Sequence, residues 1–240
     1  MHIKAFLPAS LIEYPGHIAD VVYVGECNFR CPYCHNVDLV LRPHALPDLD
    51  PSRVVQRIEG RHGFVDGLAI TGGEPTVQSD LMAFLTDVRQ LGPAIKLDTN
   101  GYRPDVLHEC LERHLVDYVA MDVKTSLERY EEAAGVPVQA QPIVESIALL
   151  LKAEIDYEFR TTVVPGLVEP SDVEAILGLI AGARRYQLQC FLPVETVGWG
   201  RDAPVGPPSA DALETMAELA SSRVQEVGIR GLMQRGCHAD

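Results

Sequence analysis

Apolar runs alternate with amphipathic stretches along most of the chain. Short aliphatic and β-branched runs bounded by turn residues predict buried strands, and apolar positions recurring every three or four residues predict helices. Strands are expected at Ala19–Val24, Gly67–Thr71, Ile95–Asp98, Tyr118–Val123, Tyr157–Val164, Leu188–Pro193 and Val224–Ile229. Helices are expected at Ser52–Glu59, Asp80–Leu91, Asp105–His114, Ile143–Ala153, Asp172–Ala183 and Ala210–Ser221. Pro51 and Ser52 supply the start signals of the first.

Strand–helix alternation of this kind gives a parallel α/β sheet with right-handed crossovers. Six such units are fewer than the eight of a closed barrel, so an open, partial barrel and a doubly wound sheet both satisfy the pattern. Either way, the unusual polar residues fall just after strands. The segment beginning at Gly25 follows Val24, Gly72-Gly73-Glu74-Pro75 follows the second strand, Asp98-Thr99-Asn100-Gly101 the third, and Lys124 the fourth. Parallel α/β folds bind ligands at the carboxyl ends of their strands, so these groups are expected at one mouth.

With 240 residues, 47% of them hydrophobic, the chain is long enough for one sizeable core. One domain over 1–240 is expected, its core about 17–195 and its extension 196–240. Gly198–Pro208 reads as a loop or flap. The net charge of −14 argues against a nucleic-acid binder that works by neutralising phosphates. The opening MHIKAFLPASLIEYPG has only a short apolar run, broken by proline and glutamate, and makes a poor signal peptide. No stretch approaches the roughly 20 apolar residues that span a bilayer. A cytoplasmic protein that binds neither nucleic acid nor membrane is the expectation.

Three of the six cysteines fall in CNFRCPYC, at Cys27, Cys31 and Cys34. Three soft thiolates on one short loop suit an iron–sulfur cluster, and three ligands for a four-iron cluster leave one iron open to a reacting group. Zinc is the competing metal. Structural zinc sites commonly pair two C-x2-4-C units in a closed set of four ligands; no second such pair occurs here, and His35 is the neighbour that could complete a zinc set. Cys110 falls in an expected helix and Cys190 in an expected strand, where free cysteine behaves as a small hydrophobe. Cys237, beside His238, has too few companions for a metal site.

The C-x3-C-x2-C spacing, with Tyr33 just before the third cysteine, resembles the signature of the radical S-adenosylmethionine (SAM) enzymes. CPYCHN, which adds His35 and Asn36, is similar to the subgroup that activates glycyl radical enzymes. LIEYPGHIADVVYVGECNFRCPYCHN as a whole resembles the activating proteins of anaerobic ribonucleotide reductase, and family-like motifs recur as far as Pro165-Gly166. The resemblance implies an open, partial (β/α)6 barrel, a [4Fe–4S] cluster on Cys27, Cys31 and Cys34, and SAM bound at the open iron. No cysteine occurs between Cys34 and Gly72, where some activases carry a further cysteine-rich segment, so a single cluster is implied.

Further site residues follow from strand ends and resemblance together. Bare backbone at Gly72 and Gly73 lets a ligand approach closely, Glu74 adds an acceptor, and the resemblance implies that this segment holds the SAM amino group. Asp98 ends a buried strand and needs a partner; the resemblance gives it, with Asn100 and Asp122, a cation or SAM environment. Lys124 and Arg160 are cations that a SAM carboxylate or a reduced cluster would attract. His35 either donates toward the cluster or SAM or caps the turn that follows. His62, His108 and His114 read as surface positions.

The implied reaction is one-electron reductive cleavage of SAM, giving methionine and a 5′-deoxyadenosyl radical, with flavodoxin or ferredoxin as donor. That radical takes a hydrogen atom from a backbone glycine of a partner, by resemblance anaerobic ribonucleotide reductase. A radical SAM enzyme acting on a small molecule of modified-nucleoside or cofactor biosynthesis is the alternative, and a zinc-stabilised binding module is the non-enzymatic one.

Overall fold

The computed structural model describes residues 1–193 and 206–232. Most of Gly198–Pro208, and all of Cys237 and His238, lie outside them. Eight strands form one sheet whose spatial order follows the chain: β1 (Ile3–Ser10), β2 (Ala19–Val24), β3 (Gly67–Gly72), β4 (Ala94–Thr99), β5 (Tyr118–Asp122), β6 (Asp156–Val163), β7 (Arg185–Cys190) and β8 (Glu226–Arg230). β1 runs antiparallel to β2, and every later pair is parallel. β1 and β8 are the two edges of an open sheet, and this is the α/β arrangement expected.

Helices α1 (Val37–Leu41), α2 (Pro51–Glu59), α3 (Leu81–Arg89), α4 (Pro104–Glu112), α5 (Tyr130–Ala134), α6 (Ala140–Leu151), α7 (Pro170–Leu179) and α8 (Ala210–Ser221) lie in the connections. α2, α4 and α7 each start with proline, whose missing N–H is unpaired at a first helical position anyway. The Asp50 carboxylate caps α2 by accepting from Ser52 N. Among the described residues no helix is long and apolar enough to cross a membrane.

The alternation of side chains along a strand divides the sheet into two chemistries. On one face Val22, Leu68, Ile70, Ile95, Leu97, Val119, Met121, Phe159 and Leu188 join Leu85, Leu107, Ile147 and Ile176 of the helices in the main core. Each such buried side chain contributes about 1.5–3 kcal/mol. On the other face the same strands carry Lys96, Asp98, Asp122, Glu158, Arg160, Thr162, Gln187 and Gln189. The concave interior is therefore polar where a complete barrel packs branched apolar residues.

β1 was not among the expected strands. IKAFLPAS buries only Ile3, Lys4 and Ser10, carries Pro8 and takes a positive φ at Ala9, as an irregular edge strand can. The seventh strand starts at Arg185 and stops at Cys190, three residues earlier at each end than its apolar run implies. The helices of five residues, α1 and α5, are too short for periodicity to reveal.

Candidate cofactor site

The cysteine loop leaves β2 and is held from two sides. Arg30 N donates to Ala134 O at 2.7 Å, at the end of α5, and the guanidinium of Arg30 donates to Cys27 O and Phe29 O at 2.5 and 2.7 Å. Gly135 ends α5 at φ +68°; a Cβ there would lie 2.0 Å from Arg30 O, so the loop and the helix end meet at backbone contact. Cys27, Cys31 and Cys34 carry free thiols, as do Cys110 and Cys190 away from this loop. Cys27 Sγ accepts from Phe29 N at 3.3 Å. Burial, reinforced by Glu74, pushes the Cys27 thiol up to about 12, and burial pushes Cys31 up to about 11 and raises Cys34. Lys124 acts in the opposite sense on all three.

The glycine turn after β3 is laced to the same loop. Gly73 N donates to Val24 O and Glu74 N to Glu26 O, both at 2.8 Å, while Asn36 Nδ2 donates to Gly72 O at 2.7 Å. Gly72 has φ +118°, and a Cβ on Gly73 would fall 1.8 Å from Glu26 O. Glu74 is 1% exposed, and its carboxylate is enclosed by donors. Oε1 accepts from Thr76 N, Thr76 Oγ1 and Thr99 Oγ1 at 3.1, 2.6 and 2.8 Å, and Oε2 accepts from Asn100 N at 2.7 Å. The side chain thus ties the end of β3 to the end of β4. Burial still raises the Glu74 carboxyl, since four neutral donors only partly replace water.

A chain of charges crosses the floor from β4 to β6. Lys96 is ion-paired with Asp98; Arg160 Nη1 reaches Asp98 at 3.2 Å and Arg160 Nε reaches Asp122 at 2.8 Å; Lys124 Nζ meets Asp122 at 2.9 Å. Burial alone would raise both aspartic acids, but Arg160, seconded by Lys96 and Lys124 respectively, holds Asp98 below and Asp122 well below the ordinary carboxylate range. Lys96, Arg160 and Lys124 thus meet Asp98 and Asp122 along this floor.

These pieces line one cavity of about 380 Å³ at the carboxyl ends of the strands. Cys27, Cys31, Tyr33, Cys34, His35, Gly72, Gly73, Glu74, Asp98, Asn100, Asp122, Lys124 and Arg160, the residues singled out from sequence, all border it. Asn100 Nδ2 donates to Asn28 Oδ1 at 2.8 Å and its Oδ1 accepts from Tyr102 N at 3.0 Å. His35 caps nothing: its Nε2 lies 3.0 Å from Leu192 O, its ring stacks against Phe191, and Asn36 is the residue at the cap of α1. His62, His108 and His114 are exposed, as expected. Sequence reasoning missed Lys96 and, on the cavity wall, Glu13, Tyr23, Thr71, Thr162 and Gln189. For Lys96, Tyr23, Thr71, Thr162 and Gln189 the signal is a polar residue alternating with apolar ones along a strand; Glu13 lies between β1 and β2 and carries no such signal.

The donor set fits an iron–sulfur cluster. Three free thiols share one wall, and the cations Lys124 and Arg160 border the same cavity, where they offset part of the charge of an anionic group. Among the described residues no three His, Cys, Asp or Glu side chains converge on a point suited to a single ion, and no fourth cysteine borders the cavity. The hydroxyl of Tyr33, 5% exposed, has no partner among the described residues, as expected of a group facing a bound molecule.

Comparison with known proteins agrees with this chemistry. A Methanocaldococcus jannaschii protein (MJ1227), named provisionally as a glycyl-radical enzyme activating enzyme, is 29% identical over 234 residues, 95% of each chain. A Pyrococcus abyssi protein, named provisionally as a GTP 3′,8-cyclase, is 30% identical over 119 residues, 49% of this chain and 38% of that one. Among solved structures, Streptococcus suis SuiB bound to its precursor peptide SuiA superposes with a TM-score of 0.69 at 13% identity, over 91% of this chain and 48% of that one. The model of the radical SAM superfamily matches residues 21–180. The chain belongs to the radical SAM superfamily, an enzyme family that uses a [4Fe–4S] cluster and SAM.

Proposed function

We propose that this radical SAM enzyme generates a glycyl radical on a partner polypeptide, with anaerobic ribonucleotide reductase the first candidate and a reduced flavodoxin or ferredoxin the electron donor. The observation that carries the reading is the end-to-end match, 95% of each chain, with a relative named for activating glycyl radical enzymes. The partial match with a cyclase named for GTP favours a small-molecule substrate instead. Electrostatics weigh against that nucleotide. Glu13, Glu74, Asp98 and Asp122 border the cavity against Lys124 and Arg160, so the described lining residues set two cations against four acids, enough beside a single carboxylate and too few for a triphosphate.

When bound, the cluster and SAM supply a hydrogen-abstracting carbon radical. In this reading Cys27, Cys31 and Cys34 hold the cluster as thiolates, their protons displaced on loading. The backbone of Gly72 and Gly73 borders the amino-acid end of SAM, while Tyr33, His35 and Asn100 line its walls. Lys124 and Arg160 attract its carboxylate; Asp98 and Asp122 hold those cations in place. Glu74 serves by fixing the glycine turn against β4 rather than by presenting a free carboxylate.

The test is anaerobic. Protein reconstituted with iron and sulfide is incubated with SAM, reductant and candidate reductases, and the glycyl radical is sought by paramagnetic resonance while GTP is assayed in parallel. A radical on a reductase supports the reading; consumption of GTP with no radical on any partner overturns it. Replacing any one of the three cysteines by alanine is expected to abolish deoxyadenosine formation.

A further inference from the structure

Beneath the charged floor lies a second cavity, of about 590 Å³, at the opposite ends of the strands. Glu158 and Arg230 border it, and neither has a role in the cofactor site described above. Glu158 is fully buried, and Arg230 grips it with both guanidinium amines, Nη1 to Oε1 at 2.9 Å and Nη2 to Oε2 at 2.8 Å. The pair is not a near neighbour contact. Arg230 lies opposite Gln189 of β7, whereas Glu158 lies on β6, one strand further across the sheet. Gly228, two residues before Arg230 on β8, packs against Gln187 of β7: a Cβ there would fall 2.2 Å from Gln187 Oε1.

Glu158 stands two residues before Arg160 on β6, so both side chains point to the same interior face. Glu158 is one of three carboxylates whose charge acts on the Arg160 guanidinium; the other two, Asp98 and Asp122, contact it directly. A fully buried carboxylate needs a cation or a full set of hydrogen-bond donors, and Glu158 has the two amines of Arg230. Without Arg230, the nearest cation on its own strand is Arg160. Arg185 of β7 and Tyr118 of β5 border the same lower cavity, but the Nε of Arg185 already meets Glu226 at 3.0 Å.

We infer that Arg230 is a positioning residue for the SAM site: by occupying Glu158 it leaves Arg160 to Asp98 and Asp122 and to the anionic groups the upper cavity receives. The geometry gives β8 a role in the reaction although it lies outside residues 21–180, the span of the superfamily match. The inference rests on the family's cofactors and not on the choice of partner, so it stands or falls independently of the activase reading.

The experiment measures the SAM dissociation constant by equilibrium dialysis. It uses reconstituted full-length protein, matched for iron and sulfide content, well below the melting temperature. Arg230→Gln is expected to weaken SAM binding about 10- to 150-fold, the range of one lost charge-assisted hydrogen bond. Arg230→Gln with Glu158→Gln is expected to return to within about threefold of wild type, because a neutral amide does not compete for Arg160. Arg230→Lys, which keeps the charge but not the fork, is expected to fall between, and carries the test if Arg230→Gln does not fold. Unchanged SAM affinity in the single variants, or a double variant that binds no better than Arg230→Gln alone, overturns the inference.

Discussion

Glu74 and the pair Asp98–Asp122 are carboxylates at the ends of three successive strands around one cavity, yet the structure treats them oppositely. Glu74 is surrounded by two hydroxyls and two backbone N–H groups, all neutral. Asp98 and Asp122 share an arginine and have a lysine each. Burial raises the first, while cations overcome burial for the other two. Four neutral hydrogen bonds orient a carboxylate without fully replacing its hydration, whereas a guanidinium supplies opposite charge as well. One wall is therefore built for shape and the other for charge.

The largest break in this comparison is expected from Arg160→Met. It leaves buried Asp98 and half-buried Asp122 with one lysine each, and loss of the cation they share costs up to about 3–5 kcal/mol, less for the exposed part of Asp122. Urea unfolding should show that loss as a lower midpoint with an unchanged slope. Glu74→Ala comes next. Removing the acceptor strands Thr76, Thr99 and Asn100 N in a dry site, at about 1–3 kcal/mol for an unsatisfied buried group, read the same way.

Acid titration sharpens the contrast. The folded-state carboxyls of Asp98 and Asp122 lie below the unfolded value of about 3.9, so their stabilisation is complete above that pH and is lost as pH falls through the folded values. Glu74 has the opposite sign. Its folded carboxyl is raised, so the stability linked to its protonated form is complete below about pH 4.3 and lost as pH rises through the folded value. Unfolding free energies from pH 3 to 7 should show Asp122→Asn losing part of the acid-side slope, while Glu74→Gln loses a shallower slope of opposite sign. A common sign for the two variants would break the comparison. The smallest expected effect is Asn36→Ala, which removes the bond to Gly72 O and should lower stability by about 1 kcal/mol.

Much of the mouth was legible in the sequence because most site residues follow a strand end, where parallel α/β folds gather ligands; Arg160, midway along β6, is the exception. Cys27, Cys31 and Cys34 announce themselves by spacing, and Gly72-Gly73 by the bare backbone they leave after a strand. The partners were less legible. Lys96 reads as one polar residue inside AIKLDT; the period of the strand sets its ammonium beside Asp98, two residues on, and only the pairing of β4, β5 and β6 brings that row to Arg160. The same holds for Glu158 and Arg230, 72 residues apart and joined through sheet order. Glu74 was legible as a site residue but not as a staple, because its ligands Thr99 and Asn100 arrive from another strand. β1 escaped for a different reason: Pro8 and a mostly exposed edge leave no alternation to detect.

The contact between Arg30 and the end of α5 extends the reach of metal loading. Because Ala134 O and Gly135 press directly on the loop between Cys27 and Cys31, ordering of that loop is felt a hundred residues along the chain. Amide exchange and protease cleavage around Tyr130–Val136 should slow when iron and sulfide are incorporated, so a segment that donates nothing to the metal becomes its reporter.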